Sequence, residues 1–225
     1  MLSPYRVPLF SALGELIRSG LAGELKVLAC TNIDPNRQWT LNLSKQQPGF
    51  TFEVLPGYTA ARGERFIYIN PTLPFKLAQE RPTVIISSGF SLPSLFSLGY
   101  AKICGAKFIL WNGGMLLTGR VSLPRVALRK LLARSAHACV AYGSAAKEYL
   151  VHLEAKPSQI FLAYNTVDTA LFAHKVSSLR SARAQFKASK GLPDVVLLYV
   201  GQLIKRKGVE YLLRSFERVV KMAHK

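Results

Sequence analysis

The sequence predicts an α/β fold in which helices cover a doubly wound parallel sheet. Apolar residues recur alternately with the spacing of a helix and the spacing of a strand along nearly all 225 residues. The composition, 49% hydrophobic and 19% charged residues, is typical of a folded chain with a buried core and excludes a disordered chain. Strands and helices that alternate in this order form parallel sheets, because each helix returns the chain to the start of the next strand.

The first predicted element is a helix, which Pro8 can begin and Gly20 can end because proline suits the first turn and glycine the end of a helix. Short apolar runs bounded by turn residues predict strands over residues 25–30, 50–55, 83–87, 107–111, 137–141 and 159–163, and a strand or loop over 66–69. Longer runs with helical periodicity predict helices over residues 73–79, 93–104, 123–135 and 145–154.

A second, smaller unit follows the predicted sheet. Residues 171–190 form a polar, basic helical stretch, and the apolar run 195–200 predicts a strand buried on both faces. The apolar residues between 209 and 220 recur on one face of a helix. A single strand and helix cannot bury their own apolar faces, so they either pack on the first domain or belong to a second domain that is cut short. We expect the second. The predicted organisation is a domain over 1–170, a connector over 171–193, and the first strand and helix of the second domain over 194–225.

The charge is strongly basic and unevenly distributed. Thirty Lys and Arg residues against twelve Asp and Glu residues give a formal net charge of +18. Residues 101–225 carry 21 basic and six acidic residues, or +15 of that total. A charge of this sign indicates a polyanionic partner, and nucleic acid, an anionic membrane and a sugar nucleotide all satisfy it.

The cysteines indicate a reducing compartment. Cys30, Cys104 and Cys139 are odd in number, widely spaced and set in apolar runs, which fits neither a disulfide framework nor a zinc site. The first 25 residues lack the pattern of a signal peptide. We therefore expect a cytoplasmic protein. No histidine has a carboxylate or a cysteine at the spacing of metal ligands, so we expect no metal. We also expect no bound cofactor.

Three segments carry a family resemblance, and a fourth adds to it. They are residues 140–150, residues 159–168 with Phe172, and residues 198–213, together with the weaker segment 3–10. In combination they resemble the group 1, or family 4, retaining glycosyltransferases of the GT-B fold, which is built from two Rossmann-like domains. The segment 159–168 is similar to the family's Asn-Gly-Val-Asp motif, although Thr166 stands in place of the usual Gly and Tyr164 in place of the usual Pro.

The resemblance implies transfer of a sugar from a nucleotide diphosphate donor to a glycan or lipid-linked acceptor, as in cell-surface polysaccharide synthesis. In the family the acceptor lies on the N-terminal domain and the donor mainly on the C-terminal one. The family's pair of donor-binding glutamates falls beyond Lys225. The resemblance therefore covers little more than half of the enzyme it implies, and we name no catalytic residue.

The segment 201–208 resembles the family's phosphate loop. Its glycines allow backbone N–H groups to approach a diphosphate, and the following helix adds partial positive charge. The resemblance assigns the donor diphosphate to Gly201, Gln202, Lys207 and Gly208, with Lys207 in the position of the phosphate-contacting lysine. Gln202 replaces the family's usual Arg, which exchanges a charge-assisted contact for a neutral one. The alternative is a solvated basic loop.

Other residues are assigned to the acceptor side or the cleft. Asn112, Gly113 and Gly114 follow a predicted parallel strand, at the end where such sheets bind ligands. Asn112 can position a sugar hydroxyl but cannot act as a base. A simple glycine turn is the alternative there. The resemblance adds Tyr5 and Arg6 from the first segment, and Asn165 and Asp168. We expect Asn165 and Asp168 to shape the interdomain hinge and cleft more than to contact a ligand, and an Asx turn is the alternative.

The helix over 123–135 is amphipathic and basic. At 100° per residue its basic residues occupy one half of the surface and its leucines the other. The basic residues are Arg125, Arg129, Lys130 and Arg134. They suggest docking on the inner face of the plasma membrane, where a lipid-linked acceptor would lie. An ordinary surface helix with its leucines in the core is the alternative.

Two other functions remain open at this stage. The chain could be a catalytically incompetent fragment that binds an acceptor, a membrane or another subunit. A nucleic-acid binder is disfavoured, because the sequence has no helix-turn-helix, zinc finger or aromatic platform for single strands. We therefore expect a nucleotide sugar and an acceptor as ligands, and no nucleic acid.

Overall fold

The structure is a computed structural model that describes residues 2–34, 46–47, 49–62, 65–115 and 122–223. The chain divides into two compact units, Met1–Thr169 and Ala170–Lys225. The division into a domain, a connector and the start of a second domain stays a prediction.

Strands and helices alternate along the first unit, with boundaries close to those expected. The strands are β1 (Leu25–Ala29), β2 (Gln46–Gln47), β3 (Phe50–Val54), β4 (Tyr58–Arg62), β5 (Arg65–Ile69), β6 (Val84–Ser88), β7 (Lys107–Asn112), β8 (Ala138–Ala141) and β9 (Ile160–Leu162). The helices are α1 (Val7–Leu21), α2 (Leu73–Glu80), α3 (Leu92–Cys104), α4 (Leu123–Ser135) and α5 (Ser144–His152).

The described strands of this unit form three sheets. The largest is parallel, in the order β6-β7-β8-β9, with α3, α4 and α5 lying between its consecutive strands along the chain. A second sheet pairs β1 with β3 in parallel and β2 with β3 antiparallel. The third is the antiparallel hairpin of β4 and β5, which the sequence leaves as a strand or loop at 66–69. The predicted α/β class with parallel strands is therefore confirmed.

The core lies between the large sheet and its helices. Phe108 and Leu110 of β7 are fully buried and alternate with the half-buried Ile109 and Trp111. Leu132 of α4 and Leu150 of α5 complete the core from the helix side, and neither is accessible to solvent. This alternation follows from the two-residue period of a strand, which turns every second side chain toward the same layer.

Local signals explain where helix α3 begins and ends. Ser91 caps its start, with a side-chain oxygen that accepts a hydrogen bond from the backbone N–H of Ser94. Gly105 follows its last residue with φ at 74°, a left-handed conformation that favours glycine. The strand ends on either side of α3 are thereby fixed.

The second unit contains helices but no strand among its described residues. Its helices are α6 (Thr169–Leu179), α7 (Arg183–Ser189) and α8 (Val209–Ala223), so the predicted helical stretch over 171–190 is confirmed as two helices. The predicted strand over 195–200 is wrong: these residues pair with no strand. The reason is physical, because a strand exists only through hydrogen bonds to a neighbour and the described part of this unit supplies none.

The apolar residues of the second unit are exposed. Leu198 and Val200 are more than 80% accessible, and Leu213 in α8 is 64% accessible. No described residue of α6 or α7 is buried. This unit therefore has no core of its own among the residues that the structure describes.

Candidate functional site

The carboxyl ends of the four parallel strands lie side by side and carry most of the residues that the sequence assigns to the cleft. The backbone N–H of Gly89 donates to the carbonyl of Trp111 at 2.9 Å, and that of Tyr142 donates to the carbonyl of Asn112 at 3.3 Å. Ala163 is bonded in the same way to Ala141, at 2.9 Å. The loops after β6, β7, β8 and β9 are therefore aligned along one edge of the sheet, where parallel sheets bind ligands.

Arg6 lies among aromatic rings at this edge. Its guanidinium carbon is 5.2 Å from the ring centre of Trp111 and 5.2 Å from that of Tyr142, and the guanidinium donates a hydrogen bond to the Tyr142 hydroxyl. The ring of Tyr142 packs edge-on against Trp111, with centres 5.9 Å apart. Phe10 of α1 packs edge-on against the same indole. Stacking on aromatic faces holds the positive charge in place while leaving N–H donors unused.

Tyr5 and Asn165 belong to the same group of side chains. Burial by itself would raise the pKa of the Tyr5 hydroxyl, but hydrogen bonds with Arg6, Ser3 and Asn165 and the charge of Arg6 together lower that pKa. For Arg6, burial acts to lower the pKa, and the interactions with Tyr142 and Tyr5 outweigh it and raise the pKa. The structure thus brings the predicted residues Tyr5, Arg6 and Asn165 together.

The segment Asn112-Gly113-Gly114 forms the floor of this group. The side chain of Asn112 is buried, and its oxygen accepts a hydrogen bond from the backbone N–H of Gly114 at 3.1 Å. A Cβ atom on Gly113 would overlap the ring of Tyr142, so only glycine allows that ring to lie there. Asn112 is therefore occupied in shaping the turn, as the turn interpretation of the sequence expects.

We call Tyr5, Arg6, Trp111, Tyr142 and Asn165 the arginine-aromatic cluster. Its side chains offer one fixed positive charge, aromatic faces and hydroxyl and amide groups, and none of the five is a carboxylate or an imidazole. Such a set can bind and orient a ligand with anionic or hydroxyl groups. Proton transfer would have to come from other residues.

Asp168 directly precedes α6, at the end of the first unit. Its role in a hinge or cleft stays a prediction. Tyr164, in place of the family's proline, packs near Gly143 after β8, 3.8 Å from the position of a Cβ atom there.

The predicted phosphate loop lies in the second unit, before α8. Lys205–Lys207 form one turn of 3-10 helix, and Gly208 follows with φ at 67°, a left-handed conformation, before α8 begins at Val209. The hydroxyl of Tyr199 donates to the carbonyl of Gln202 at 2.9 Å, and a Cβ atom on Gly201 would lie 2.8 Å from that hydroxyl. The side chain of Lys207 is exposed and has no ion pair within the described part of the chain.

Several solved structures are similar to this chain. The chain is similar to the crystal structure of Anabaena HepE in complex with UDP, at 15% sequence identity and a TM-score of 0.45. The similar region covers 61% of this chain and 37% of that one, so this chain corresponds to well under two thirds of that protein's length. No protein-family model and no curated protein matches the chain. A likeness of this degree carries no argument about function, and the α/β class rests on the described strands and helices.

The four basic residues of α4 have different surroundings. Lys130 and Arg134 form ion pairs with Glu154, at 2.6 and 3.2 Å. Arg129 is half-buried and turned toward the rings of Phe90 and Tyr149, whereas Arg125 is exposed. Leu132 lies in the core and Leu131 is 49% exposed. Docking of this helix on a membrane stays a prediction, and the side chain best placed for it is that of Arg125.

Two further findings concern membranes and metals. None of the described helices has the length and apolarity needed to cross a membrane. In the same part of the chain, no three His, Cys, Asp or Glu residues are grouped as metal ligands. His137 has a structural role, because its Nδ1 accepts the backbone N–H of Phe108 at 3.1 Å.

Sequence reasoning missed Trp111 and Tyr142 as members of the cluster. Both stand at the carboxyl ends of predicted strands, so their position was a usable signal, but apolar context made them resemble core residues. An open cavity of about 620 Å³ lies at the opposite edge, between residues 78–84 and 100–107. None of its lining residues belongs to a site that the sequence predicts.

Proposed function

We propose that this chain supplies the acceptor-binding domain and the first donor-binding element of a retaining glycosyltransferase. The arginine-aromatic cluster would hold a glycan or lipid-linked acceptor, and the loop 201–208 would contact the diphosphate of a nucleotide sugar. The motif resemblance supports this assignment, and so does the basic charge of the second half of the chain.

The observation that carries the proposal is the geometry at the start of α8. Gly208 turns the chain in a left-handed conformation immediately before a 15-residue helix, and Lys207 precedes it with an exposed ammonium group. Free N–H groups at a helix start, the helix dipole and a lysine favour the negative charge that builds up on a departing nucleotide. No protein nucleophile is needed in this proposal.

Calorimetric titration of the chain with uridine, guanosine and adenosine diphosphates tests it. We expect at least one nucleotide to bind, and Lys207→Ala to weaken that binding about tenfold, the size of one charge-assisted contact. Lys221→Ala is the matched control. It also removes one positive charge, but from the last turn of α8, where Lys221 is paired with Glu217 at 2.6 Å. Equal weakening by both variants, or no binding at all, would contradict the proposal.

A second candidate is binding without catalysis. The observation that favours it is the exposure of the apolar residues in 195–200 and α8, which leaves the described part of the second unit without a core. Nucleotide-sugar hydrolysis by the chain, lost in Lys207→Ala, would contradict this candidate. Acceptor binding with no hydrolysis of any donor would favour it over transfer.

The proposal places the protein in the cytoplasm, where nucleotide sugars are available, with α4 on the inner face of the plasma membrane. Sedimentation with vesicles tests the membrane part: stronger binding to anionic than to neutral vesicles at low salt is expected. Equal binding to both would remove the membrane from the proposal and leave the transferase part unaffected.

A further inference from the structure

A second arginine lies over an aromatic ring and beside a tyrosine hydroxyl at the same edge of the sheet. Arg129 of α4 donates from its guanidinium to the hydroxyl of Tyr149 at 2.7 Å, and its guanidinium carbon is 5.7 Å from the ring centre of Phe90. Phe90 and Tyr149 pack edge-on, with ring centres 6.1 Å apart. Phe90 lies in the loop after β6, two residues beyond its last residue, which places this group at the carboxyl end of the strands.

Arg129 has no carboxylate partner among the described residues, although two other basic residues of α4 do. Lys130 and Arg134 both form ion pairs with Glu154, which lies just after the end of α5. Arg129 is half-buried and faces a tyrosine and a phenylalanine instead. A partly desolvated guanidinium without a counter-charge is unfavourable, and an anionic ligand would remove that cost. Of its five N–H donors, the described contacts use one.

The floor of the candidate site joins this group to the arginine-aromatic cluster. Tyr142, which accepts a hydrogen bond from Arg6, packs on Gly113. Tyr149, which accepts from Arg129, lies with its Cε1 atom 3.5 Å from the position of a Cβ atom on Gly114. Two arginine-tyrosine pairs therefore flank one Gly-Gly segment at the ligand-binding edge.

We propose that Arg129 is a phosphate-binding residue of this edge and that Tyr149 is its positioning residue. The ligand is a phosphate or diphosphate ester, because a guanidinium fork matches two oxygens of such a group and stays charged at every physiological pH. The hydrogen bond to the Tyr149 hydroxyl fixes the orientation of the guanidinium, and the ring of Phe90 packs against the guanidinium. This site lies in the first unit. It rests on the proposed function only for the source of the phosphate, which is either the acceptor or the nucleotide.

Titration of the full chain with inorganic pyrophosphate at 150 mM salt tests the site. Arg129→Gln should weaken binding about tenfold, and Arg125→Gln, which removes the same charge one turn away on an exposed part of α4, should weaken it less than twofold. Lys207→Ala serves as the background for all variants, so that binding at the loop 201–208 does not mask the result. An unchanged affinity in Arg129→Gln, equal losses in both glutamine variants, or no pyrophosphate binding by this background would overturn the proposal.

Two further variants protect the test against a loss of folding. Arg129→Lys keeps the charge but not the fork and should give an intermediate affinity, and Tyr149→Phe should give a loss of about threefold with an unchanged circular dichroism spectrum. If Arg129→Lys binds as tightly as the background, the charge alone suffices and the fork is not used. If Tyr149→Phe binds as tightly as the background, Tyr149 does not position Arg129. Either result would overturn the proposal.

The source of the phosphate is separated by two probes, farnesyl diphosphate for a lipid-linked acceptor and uridine diphosphate for a nucleotide. A loss in Arg129→Gln confined to farnesyl diphosphate assigns the site to the acceptor, and a loss confined to uridine diphosphate assigns it to the donor. Failure of the proposed function would instead appear as absence of nucleotide binding in the chain with Lys207 intact. The two failures are therefore distinguishable.

Discussion

The two units contain the same local pattern with opposite results. In the first, β8 is followed by α5, and their apolar residues, such as Cys139 and Leu150, are at most 1% accessible. In the second, the apolar run 195–200 is followed by α8, and Val200 and Leu213 are 84% and 64% accessible. The difference lies in the neighbours: β8 pairs with β7 and β9, while 195–200 pairs with no described strand. A strand and a helix therefore become buried structure only when other strands and helices cover them.

The largest expected effect compares one leucine from each unit. Leu150→Ala should lower the free energy of unfolding by about 3 to 4 kcal/mol, because it leaves a cavity in a fully buried position. Leu213→Ala should change it by less than about 0.5 kcal/mol, since its side chain is already exposed. Urea denaturation monitored by circular dichroism measures both. A comparable loss in Leu213→Ala would show that α8 is covered in solution.

Cysteine labelling separates buried from exposed positions within the first unit. Burial raises the pKa of the Cys139 thiol to about 11, whereas Cys104 is exposed. A thiol reagent at pH 8 should therefore react with Cys104 about 100-fold faster than with Cys139. Mass spectrometry of labelled peptides gives both rates. Because all three cysteines lie in the first unit, Leu150→Ala should accelerate the labelling of Cys139 and Leu213→Ala should not. Equal labelling rates for Cys104 and Cys139 would contradict the buried core.

Two glycines of the first unit, one in a loop and one inside a helix, differ in how closely other atoms pack against them. Gly113→Ala should destabilise the protein by about 1 to 3 kcal/mol, because the new methyl group displaces the ring of Tyr142. Gly99→Ala should stabilise it by about 0.5 to 1 kcal/mol, since Gly99 lies inside α3 and no atom is close to the position of its Cβ. Thermal denaturation measures both. Opposite signs are the expected outcome, and a neutral Gly113→Ala would show that the ring of Tyr142 does not pack on the floor of the site.

The smallest effect concerns ion pairs that tie β1 and β3 to α2. Lys26 and Lys76 each lie within 3.1 Å of both Glu53 and Glu80. The hydrogen bond from Lys76 lowers the pKa of Glu53, and the hydrogen bond from Lys26 lowers that of Glu80. Lowered carboxyl pKa values stabilise the fold above the ordinary pKa of glutamate, and this contribution is lost as the pH falls through the lowered values.

Glu53→Gln should therefore cost about 0.5 kcal/mol at pH 7, and this cost should disappear as the pH falls through the lowered pKa of Glu53. Urea denaturation at pH 7 and at a series of lower pH values is the measurement. A constant difference between the two proteins over this range would assign the effect to packing instead of charge.

Sequence periodicity was sufficient for most of the first unit. Helix 123–135 begins and ends as predicted, and the strands of the large sheet are within one or two residues of their predicted bounds. The β4 part of the hairpin was not predicted, because 58–62 lacks the apolar alternation that marks a strand. Its pairing with β5 is a contact that local pattern does not encode.

The role of the candidate site stays a prediction. Tyr5, Arg6 and Asn165, which the sequence assigns to the cleft, lie together in the structure. Trp111 and Tyr142 were missed because an aromatic residue beside a buried strand has the same signature as a core residue. Arg129 was assigned to a membrane-facing surface from its angle on a helical wheel. A wheel gives the direction of a side chain from its own axis and contains nothing about the rings of Phe90 and Tyr149 that lie there.

The sequence by itself determined the α/β class, the order of the helices and the strands of the large sheet, and the basic charge, because these depend on local periodicity and composition. Only the tertiary structure decided which strands pair, which apolar residues are covered, and which arginines lie on aromatic rings. Those properties depend on contacts between residues far apart in the chain. Arg6 and Tyr142 are separated by 136 positions, and no local pattern places one beside the other.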